Sequence, residues 1–296
     1  MFKAMKQLED MMAESEQRVE TVKIPSEGAT LTGKAYWPKG DPKSSVIIHG
    51  ATGVPQLFYA RFARWVAEQG HLCLTYDYRD FGASKQTHPR NSSATMADWG
   101  LRDQQAAFDA LLKLADTPQK HVIGHSLGGF MLPFHSNLDK VDKVTTVACG
   151  QVYWRDHHLP YFFMVILFWY LLGPIATRLK GYLPGKALGL GADVPAGVYW
   201  QWRKWCTSPT FYSSDIGGVL PQMNPNPYKG PIKIIGFTDD ETAPKASIDR
   251  MEPLYKDAQI IRQTLNPADF ELKEVGHLKA FTKQNEALWP EILEVS

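Results

Sequence analysis

A serine framed by two glycines is the first candidate for chemistry in this chain. An apolar run ending at Ile123 leads into Gly124-His125-Ser126-Leu127-Gly128, and helix-compatible sequence follows. A sharp turn from strand to helix would lift the Ser126 hydroxyl clear of a sheet, and glycine fits where a side chain would collide with neighbouring backbone. A helix that begins directly afterwards leaves the Leu127 N–H unpaired, so this amide could bind a developing oxyanion.

Two further groups in the chain could activate this serine. A hydroxyl is a poor nucleophile at neutral pH until a base takes its proton, and the base needs a third group that fixes its tautomer. The strand-like run 232–236 leads into Asp239 and Asp240, and a second predicted strand end is followed by His277. Because the carboxyl ends of parallel strands meet at one edge of a sheet, we expect Ser126, one aspartate and His277 to converge there.

Alternating strands and helices are predicted to position these residues. This alternation is typical of a mostly parallel central sheet with helices on both faces, an α/β fold. The chain opens on a hairpin-like pair of strands, and the later apolar runs are short enough to be buried strands. The predicted strands are 19–24, 31–37, 46–48, 72–76, the run before Ser126, 144–148, 232–236 and 270–275, and the predicted helices are 58–69, 97–115 and one from Ser126 to about 138.

One region interrupts the alternation and is predicted to be an inserted helical cap. Residues 151–229 are rich in aromatics, prolines and glycines, and their apolar run 161–172 spans about twelve residues before Gly173-Pro174. A membrane span needs roughly twenty residues, so we expect the run to be buried or to lie over the site, with a membrane-interface element as the alternative. The predicted division is an amphipathic helix at 1–18, a core at 19–150 and 230–296, and the cap at 151–229.

Composition narrows the class of protein. With 296 residues and 44% apolar residues, the chain can bury a sizeable core, and its formal net charge of +1 argues against nucleic-acid binding. Three widely spaced cysteines predict neither a disulfide framework nor a zinc site, and residues 1–20 have no signal-peptide pattern. We therefore expect a cytoplasmic protein with no cofactor, no metal and no nucleic-acid partner. The polar face of the predicted N-terminal helix is acidic as much as basic, so its charge does not support a role at a membrane surface.

The chain resembles the α/β-hydrolase superfamily over nearly its whole length, and most of all its bacterial serine aminopeptidase-like or lysophospholipase-like subgroup. The resemblance implies an α/β-hydrolase fold in which Ser126 on a nucleophile elbow is the nucleophile, His277 the base and Asp240 the acid. It also implies an oxyanion hole formed by the backbone N–H groups of Ala51 and Leu127. The segments that carry it are His49–Pro55, Tyr76–Ser84, Gly124–Gly129, Asp239–Pro244 and Gly276-His277.

Some assignments stay open within this resemblance. Asp240 is preferred as the acid because Pro244 stands four residues later, whereas counting from Gly236 favours Asp239; the other aspartate is predicted to cap the helix near Pro244. The family loop usually has glycine where this chain has Asp80, so that loop must differ or tolerate a short polar residue.

Other histidines are predicted to be structural. His49 is expected to order the oxyanion loop, and His125 to point away from the serine. Asp156-His157-His158 lacks a third ligand at useful spacing for a metal.

The predicted activity is hydrolysis of an ester, thioester or amide bond through an acyl-enzyme. The apolar 151–229 segment suggests a hydrophobic acyl group on a small-molecule substrate. Acyl transfer through the same triad and a non-catalytic ligand-binding protein are the alternatives. The sequence leaves the natural substrate and the oligomeric state open.

Overall fold

A computed structural model describes residues 17–294. The helix predicted for 1–18 lies outside these residues, apart from its last two positions. The described chain forms a central sheet of eight strands in the order β1-β2-β4-β3-β5-β6-β9-β10. These strands are β1 (Val19–Ser26), β2 (Ala29–Tyr36), β3 (Ser45–His49), β4 (Leu72–Tyr76), β5 (Lys120–His125), β6 (Lys143–Val147), β9 (Pro231–Phe237) and β10 (Gln259–Leu265), while β7 (Tyr182–Leu183) pairs with β8 (Val194–Pro195) apart from them.

The sheet is parallel from β4 to β10, and β1 and β2 add an antiparallel edge. Register places His49, the last residue of β3, opposite Gly124 of β5. The loops that follow these two strands therefore begin side by side at the carboxyl edge of the sheet, where an α/β protein builds its sites. The predicted mostly parallel sheet is confirmed.

Helices cover both faces of this sheet. The eight α-helices of the described residues are α1 (Ala60–Glu68), α2 (Gln104–Leu114), α3 (Leu127–Phe130), α4 (Tyr161–Leu167), α5 (Gly173–Lys180), α6 (Ala196–Cys206), α7 (Lys245–Met251) and α8 (Trp289–Leu293). Along β5 the side chains alternate between the two cores: Val122 packs in the cluster that includes Phe108, and Ile123 in the one that includes Phe62. A strand buried on both faces explains why the sequence shows apolar runs instead of alternation.

The last strand of the sheet is not where the sequence predicted it. The structure has no strand at 270–275; the edge strand is β10, Gln259–Leu265, and the chain then passes through the 3₁₀ turn Pro267–Phe270 and a left-handed Glu271 (φ 57°). An edge strand is half-exposed and tolerates polar residues, so β10 lacks the apolar run that marked the other strands.

The helix after Ser126 is also shorter than predicted. It runs only over Leu127–Phe130, followed by the 3₁₀ turns Leu132–Phe134 and Leu138–Lys140, instead of continuing to about 138. Pro133 has no N–H to donate and its ring disfavours the preceding turn, so the α-helix ends before it.

The helix formed by the apolar run of the 151–229 segment continues beyond Gly173-Pro174, where the run was expected to end. Helices α4 and α5 join through the π-helical turn Phe168–Leu172 into one helical stretch of 20 residues, Tyr161–Lys180, whose most apolar 18-residue window has a mean hydropathy of 1.7. The Gly173 N–H donates to the Phe168 carbonyl, and this wider turn lets the helix pass Pro174.

The run is also mostly exposed, since only 28% of its most apolar window is buried. Of the two expected placements, burial was therefore wrong, while a position over the site stays a prediction. By length and composition alone this helix could cross a membrane. The role of the segment as a cap stays a prediction.

Candidate active site

The Ser126 backbone holds a strained turn between β5 and α3. Its φ is +53° and its ψ −113°, while its N–H donates to the Val147 carbonyl at 3.0 Å. A Cβ on Gly124 would lie 2.6 Å from the Gly128 carbonyl oxygen, and one on Gly128 would lie 2.0 Å from the His49 carbonyl oxygen. Both contacts are shorter than van der Waals distance, so the predicted need for glycine at these positions is confirmed.

The structure brings Ser126, His277 and Asp240 into one hydrogen-bonded chain. His277 Nε2 lies 3.0 Å from Ser126 Oγ, and His277 Nδ1 lies 2.9 Å from Asp240 Oδ2. A carboxylate only accepts hydrogen bonds, so the proton of the neutral imidazole sits on Nδ1 and the Nε2 lone pair faces the serine hydroxyl. This is the geometry that a base needs in order to take the serine proton.

Asp240 is held as an ionised group. Its second oxygen, Oδ1, accepts from the Thr242 N–H at 2.8 Å and the Ala243 N–H at 2.9 Å. Burial alone would raise the pKa of Asp240, but the charge and hydrogen bond of His277, with the two backbone N–H groups, outweigh it and hold this pKa below its ordinary value. Asp240 therefore carries its charge at neutral pH while its side chain is fully buried.

Asp239 points elsewhere. Its Oδ2 accepts from the Val275 N–H at 2.8 Å, which anchors the start of the loop that carries His277. The geometry thus favours Asp240 over Asp239 as the partner of His277. The predicted capping role for the other aspartate was wrong, because α7 begins after Pro244 without any side-chain cap.

The loop after β3 differs from the predicted oxyanion hole. The Ala51 N–H donates to the Tyr59 hydroxyl at 2.9 Å, and both groups are buried. This amide is therefore already satisfied in the structure, which argues against its predicted role as an oxyanion donor. No hydrogen bond joins the next amide, Thr52 N–H, or the Leu127 N–H at the start of α3 to another described group.

A buried chain of hydrogen bonds runs behind the site. Tyr59 Oη lies 2.8 Å from His125 Nδ1, and His125 Nε2 lies 2.8 Å from the His277 carbonyl oxygen. A carbonyl only accepts, so Nε2 carries the proton, Nδ1 accepts from the tyrosine O–H, and the tyrosine oxygen accepts from Ala51. Burial lowers the pKa of His125 to about 3 and raises that of Tyr59 well above its ordinary value, so both stay neutral.

This chain ties the loop after β3 to the loop that carries His277. Sequence reasoning missed Tyr59 because nothing in its type or spacing from His49 sets it apart. The His125 ring nitrogens contact Tyr59 and the His277 carbonyl and not Ser126, in keeping with the predicted structural role.

Asp80 occupies the loop position where the related sequences have glycine. Its φ is +55°, a left-handed conformation that aspartate tolerates better than most residues, and its Oδ2 accepts from the Ser92 hydroxyl at 2.6 Å. The backbone at this position is one that glycine adopts freely, and it accommodates the short polar side chain, which was one of the two expected outcomes.

The Asp156-His157-His158 segment is used for structure. Asp156 pairs with Arg250, and His157 Nδ1 lies 2.8 Å from the Glu241 carbonyl oxygen. Across residues 17–294, no group of three His, Cys, Asp or Glu side chains could hold a metal ion.

The sequence profile of the alpha/beta hydrolase family matches residues 46–288. The chain belongs to the α/β-hydrolase family. Its fold, a mostly parallel eight-stranded sheet flanked by helices, is the fold of that family. No curated protein sequence matches the chain.

Solved structures share this fold at low sequence identity. An esterase of Pyrococcus furiosus is 14% identical with a TM-score of 0.56, covering 94% of this chain and 89% of that one. The α/β hydrolase GrgF of Penicillium sp. sh18 is 18% identical with a TM-score of 0.59, covering 93% and 96%. A thioesterase domain of the curacin biosynthetic pathway is 13% identical with a TM-score of 0.55, covering 94% and 100%.

Proposed function

We propose that this chain is a serine hydrolase that cleaves ester or thioester bonds through an acyl-enzyme on Ser126. Membership of the α/β-hydrolase family supports a hydrolase. The observation that carries the finer proposal is the hydrogen-bonded chain from Asp240 through His277 to Ser126, at 2.9 and 3.0 Å. It supplies a nucleophile, a base and an acid in one line at the carboxyl edge of the sheet.

The residues act in a fixed order. Ser126 Oγ attacks the carbonyl carbon as its proton passes to His277 Nε2, and the imidazolium is stabilised by the ionised Asp240. His277 then gives the proton to the leaving alcohol or thiol, which departs and leaves an ester on Ser126 Oγ. A water molecule attacks this ester as His277 takes its proton, and return of the proton to Ser126 releases the acid.

The oxyanion of each tetrahedral intermediate needs hydrogen-bond donors. Leu127 N–H, the first amide of α3, is the donor next to the nucleophile. Since Ala51 N–H is bound to Tyr59, we assign the second donor to Thr52 N–H, the following amide of the same loop. Removal of one such donor typically costs about 10²–10³ in rate.

A substrate with an apolar acyl group fits the surroundings of the site. The 151–229 segment is anchored beside the acid, because Tyr161 Oη lies 2.8 Å from Thr242 Oγ1, two residues after Asp240. From Tyr161 to Thr177 this segment has no charged residue. Carboxylesters and lysophospholipid-like esters are the proposed substrate class.

A panel of p-nitrophenyl esters from acetate to palmitate tests this function. We expect the wild type to turn over the esters, with higher kcat/KM for acyl chains longer than acetate, and Ser126→Ala to lose this activity. Ser214→Ala, at an exposed serine, is the matched control and should equal the wild type. Equal turnover by wild type and Ser126→Ala would remove the mechanism.

A further inference from the structure

The helical stretch Tyr161–Lys180 presents an apolar face to solvent. From Tyr161 to Thr177 it contains no charged residue. A surface helix of a globular protein normally turns a polar face outward, but here the outward face is apolar as well. The large exposed side chains along it are Phe163, Met164, Leu167, Tyr170, Leu171, Leu172, Ile175 and Leu179, exposed by 42 to 77%.

The opposite face fixes this helix along the surface of the protein. Trp169 is buried against Trp202, and its carbonyl oxygen accepts from Arg203 Nε at 2.6 Å. The N-terminal end is held to the acid-bearing loop by the contact of Tyr161 with Thr242. A helix anchored in this way would have to give up these contacts to cross a bilayer, so the exposed face is suited to lie in an interfacial plane.

The charge along the sequence of this segment is one-sided. Residues 157–192 contain no Asp or Glu, and 157–214 contain five Arg and Lys residues but one Asp, whereas the whole chain has a net charge of only +1. Arg178, Lys180 and Lys186 are exposed and form no ion pair with any residue of 17–294. Arg178 and Lys180 lie in the last turn of the helical stretch, and Lys186 follows it by six residues, so anionic groups would be met at this end.

We propose that this face, the exposed apolar side chains of Tyr161–Lys180 with Arg178, Lys180 and Lys186 at its end, docks on the surface of an anionic lipid bilayer. Apolar side chains enter the boundary between headgroups and acyl chains, and the basic side chains meet anionic headgroups. A second copy of the chain is a poorer occupant, because it would bring the same cations and no acid from 157–192. That the esterified substrate comes from the membrane rests on the proposed function; the docking does not.

Flotation of the full-length protein with vesicles tests the docking. The vesicles are phosphatidylcholine alone, or phosphatidylcholine with 30% phosphatidylglycerol. We expect binding to the anionic vesicles, at least tenfold weaker to the neutral ones and weakened by salt. Ser126→Ala should bind like the wild type, so this result is independent of whether the chain is a hydrolase.

Paired substitutions locate the contact on the proposed face. Leu167→Glu/Leu171→Glu is expected to lower the partition coefficient at least tenfold, and Arg178→Gln/Lys180→Gln/Lys186→Gln to remove most of the preference for anionic vesicles. Val219→Glu, at a residue that is 60% exposed outside this face, is the matched control and should bind like the wild type. Leu167→Ala/Leu171→Ala, checked by circular dichroism, provides a milder variant in case the glutamates unfold the protein.

Several outcomes would overturn the proposal. These are failure to bind either vesicle, binding that survives both the leucine and the basic substitutions, and binding that resists alkaline carbonate and is released only by detergent, since that marks a spanning helix. Dimerisation in analytical ultracentrifugation that Leu167→Glu/Leu171→Glu abolishes, without vesicle binding, would make a second copy the occupant.

Discussion

Two adjacent aspartates have different tasks in this site. Asp240 uses one carboxylate oxygen for two backbone N–H groups and the other for His277, whereas Asp239 accepts from the Val275 N–H. Both follow β9 by a few residues, so the sequence could bring either one to the histidine. The directions in which the two side chains point depend on the turn that begins at Thr238, and the residue types alone do not specify that turn.

Asparagine at each position separates the two tasks. In Asp240→Asn the backbone N–H groups of Thr242 and Ala243 select the amide oxygen, so the NH₂ group faces His277 Nδ1. The imidazole then carries its proton on Nε2 and cannot accept from Ser126. We expect kcat for ester hydrolysis to fall by about 10⁴, the magnitude known for the same change in serine proteases.

Asp239→Asn is the matched control for this prediction. An amide oxygen can still accept from the Val275 N–H. Because one altered hydrogen bond changes the free energy only slightly, kcat should stay within about threefold of the wild type. Steady-state kinetics on one ester suffice. A large loss in Asp239→Asn with little change in Asp240→Asn would reverse the assignment of the acid.

Individual elements of the fold differ in how well the sequence predicted them. Strands buried on both faces, such as β3 and β5, stood out as short apolar runs and were placed correctly. The edge strand β10 was missed because its half-exposed residues carry no such signal. His277 still reaches the serine, since the segment after β10 returns to the carboxyl edge and is held there by Asp239 and by His125.

The short 3₁₀ helix Gln56–Tyr59 connects the loop after β3 with the end of β5. Its Tyr59 hydroxyl satisfies both the Ala51 N–H and His125 Nδ1, so Tyr59→Phe leaves two buried polar groups without a partner. Each unsatisfied buried group costs about 1–3 kcal/mol, so we expect the free energy of unfolding to fall by about 2–6 kcal/mol. Urea denaturation followed by tryptophan fluorescence measures this change.

A tyrosine with an exposed side chain serves as the control for this variant. Tyr170 is 46% exposed, and Tyr170→Phe should leave the urea midpoint unchanged. If Tyr59→Phe were as stable as the wild type, the hydrogen-bonded chain behind the site would contribute nothing to the fold.

The whole molecule contains several histidines that are buried in the neutral form. Burial lowers the pKa of His121 and His125 to about 3 and that of His135 to about 4, and it holds the pKa of His49 well below its ordinary value. An unfolded histidine titrates near 6.5, so below that pH the unfolded chain binds protons that the folded chain does not. Stability is therefore expected to fall as the pH drops from about 6.5 towards 4.

One buried histidine accounts for about 1.4 kcal/mol of this loss per pH unit. The free energy of unfolding, measured by urea titration, falls between pH 7.5 and pH 5. We expect this fall to be about 2 kcal/mol smaller in His121→Asn than in the wild type. His158→Asn, at an exposed histidine, should keep the wild-type difference. A wild-type stability that does not change between these pH values would contradict the neutral buried state.

The largest difference between the prediction from the sequence and the structure concerns the surface of the molecule, where the run 161–172 is exposed. Composition showed that 161–172 is apolar, and the expected consequence was that this run would be buried or would lie over the site. An apolar composition means only that burying the surface away from water is favourable. The described chain buries just one side of this helix. The apolar composition of the run does not by itself determine what covers the other side.

Mass spectrometry of the protein after treatment with a fluorophosphonate tests the central claim, that His277 activates Ser126, most directly. We predict a single adduct, located on Ser126 in the peptide map, absent from Ser126→Ala and at least 10³-fold slower to form in His277→Ala by the loss of the general base. No adduct on the folded wild-type protein, or labelling at the same rate in His277→Ala, would contradict the account.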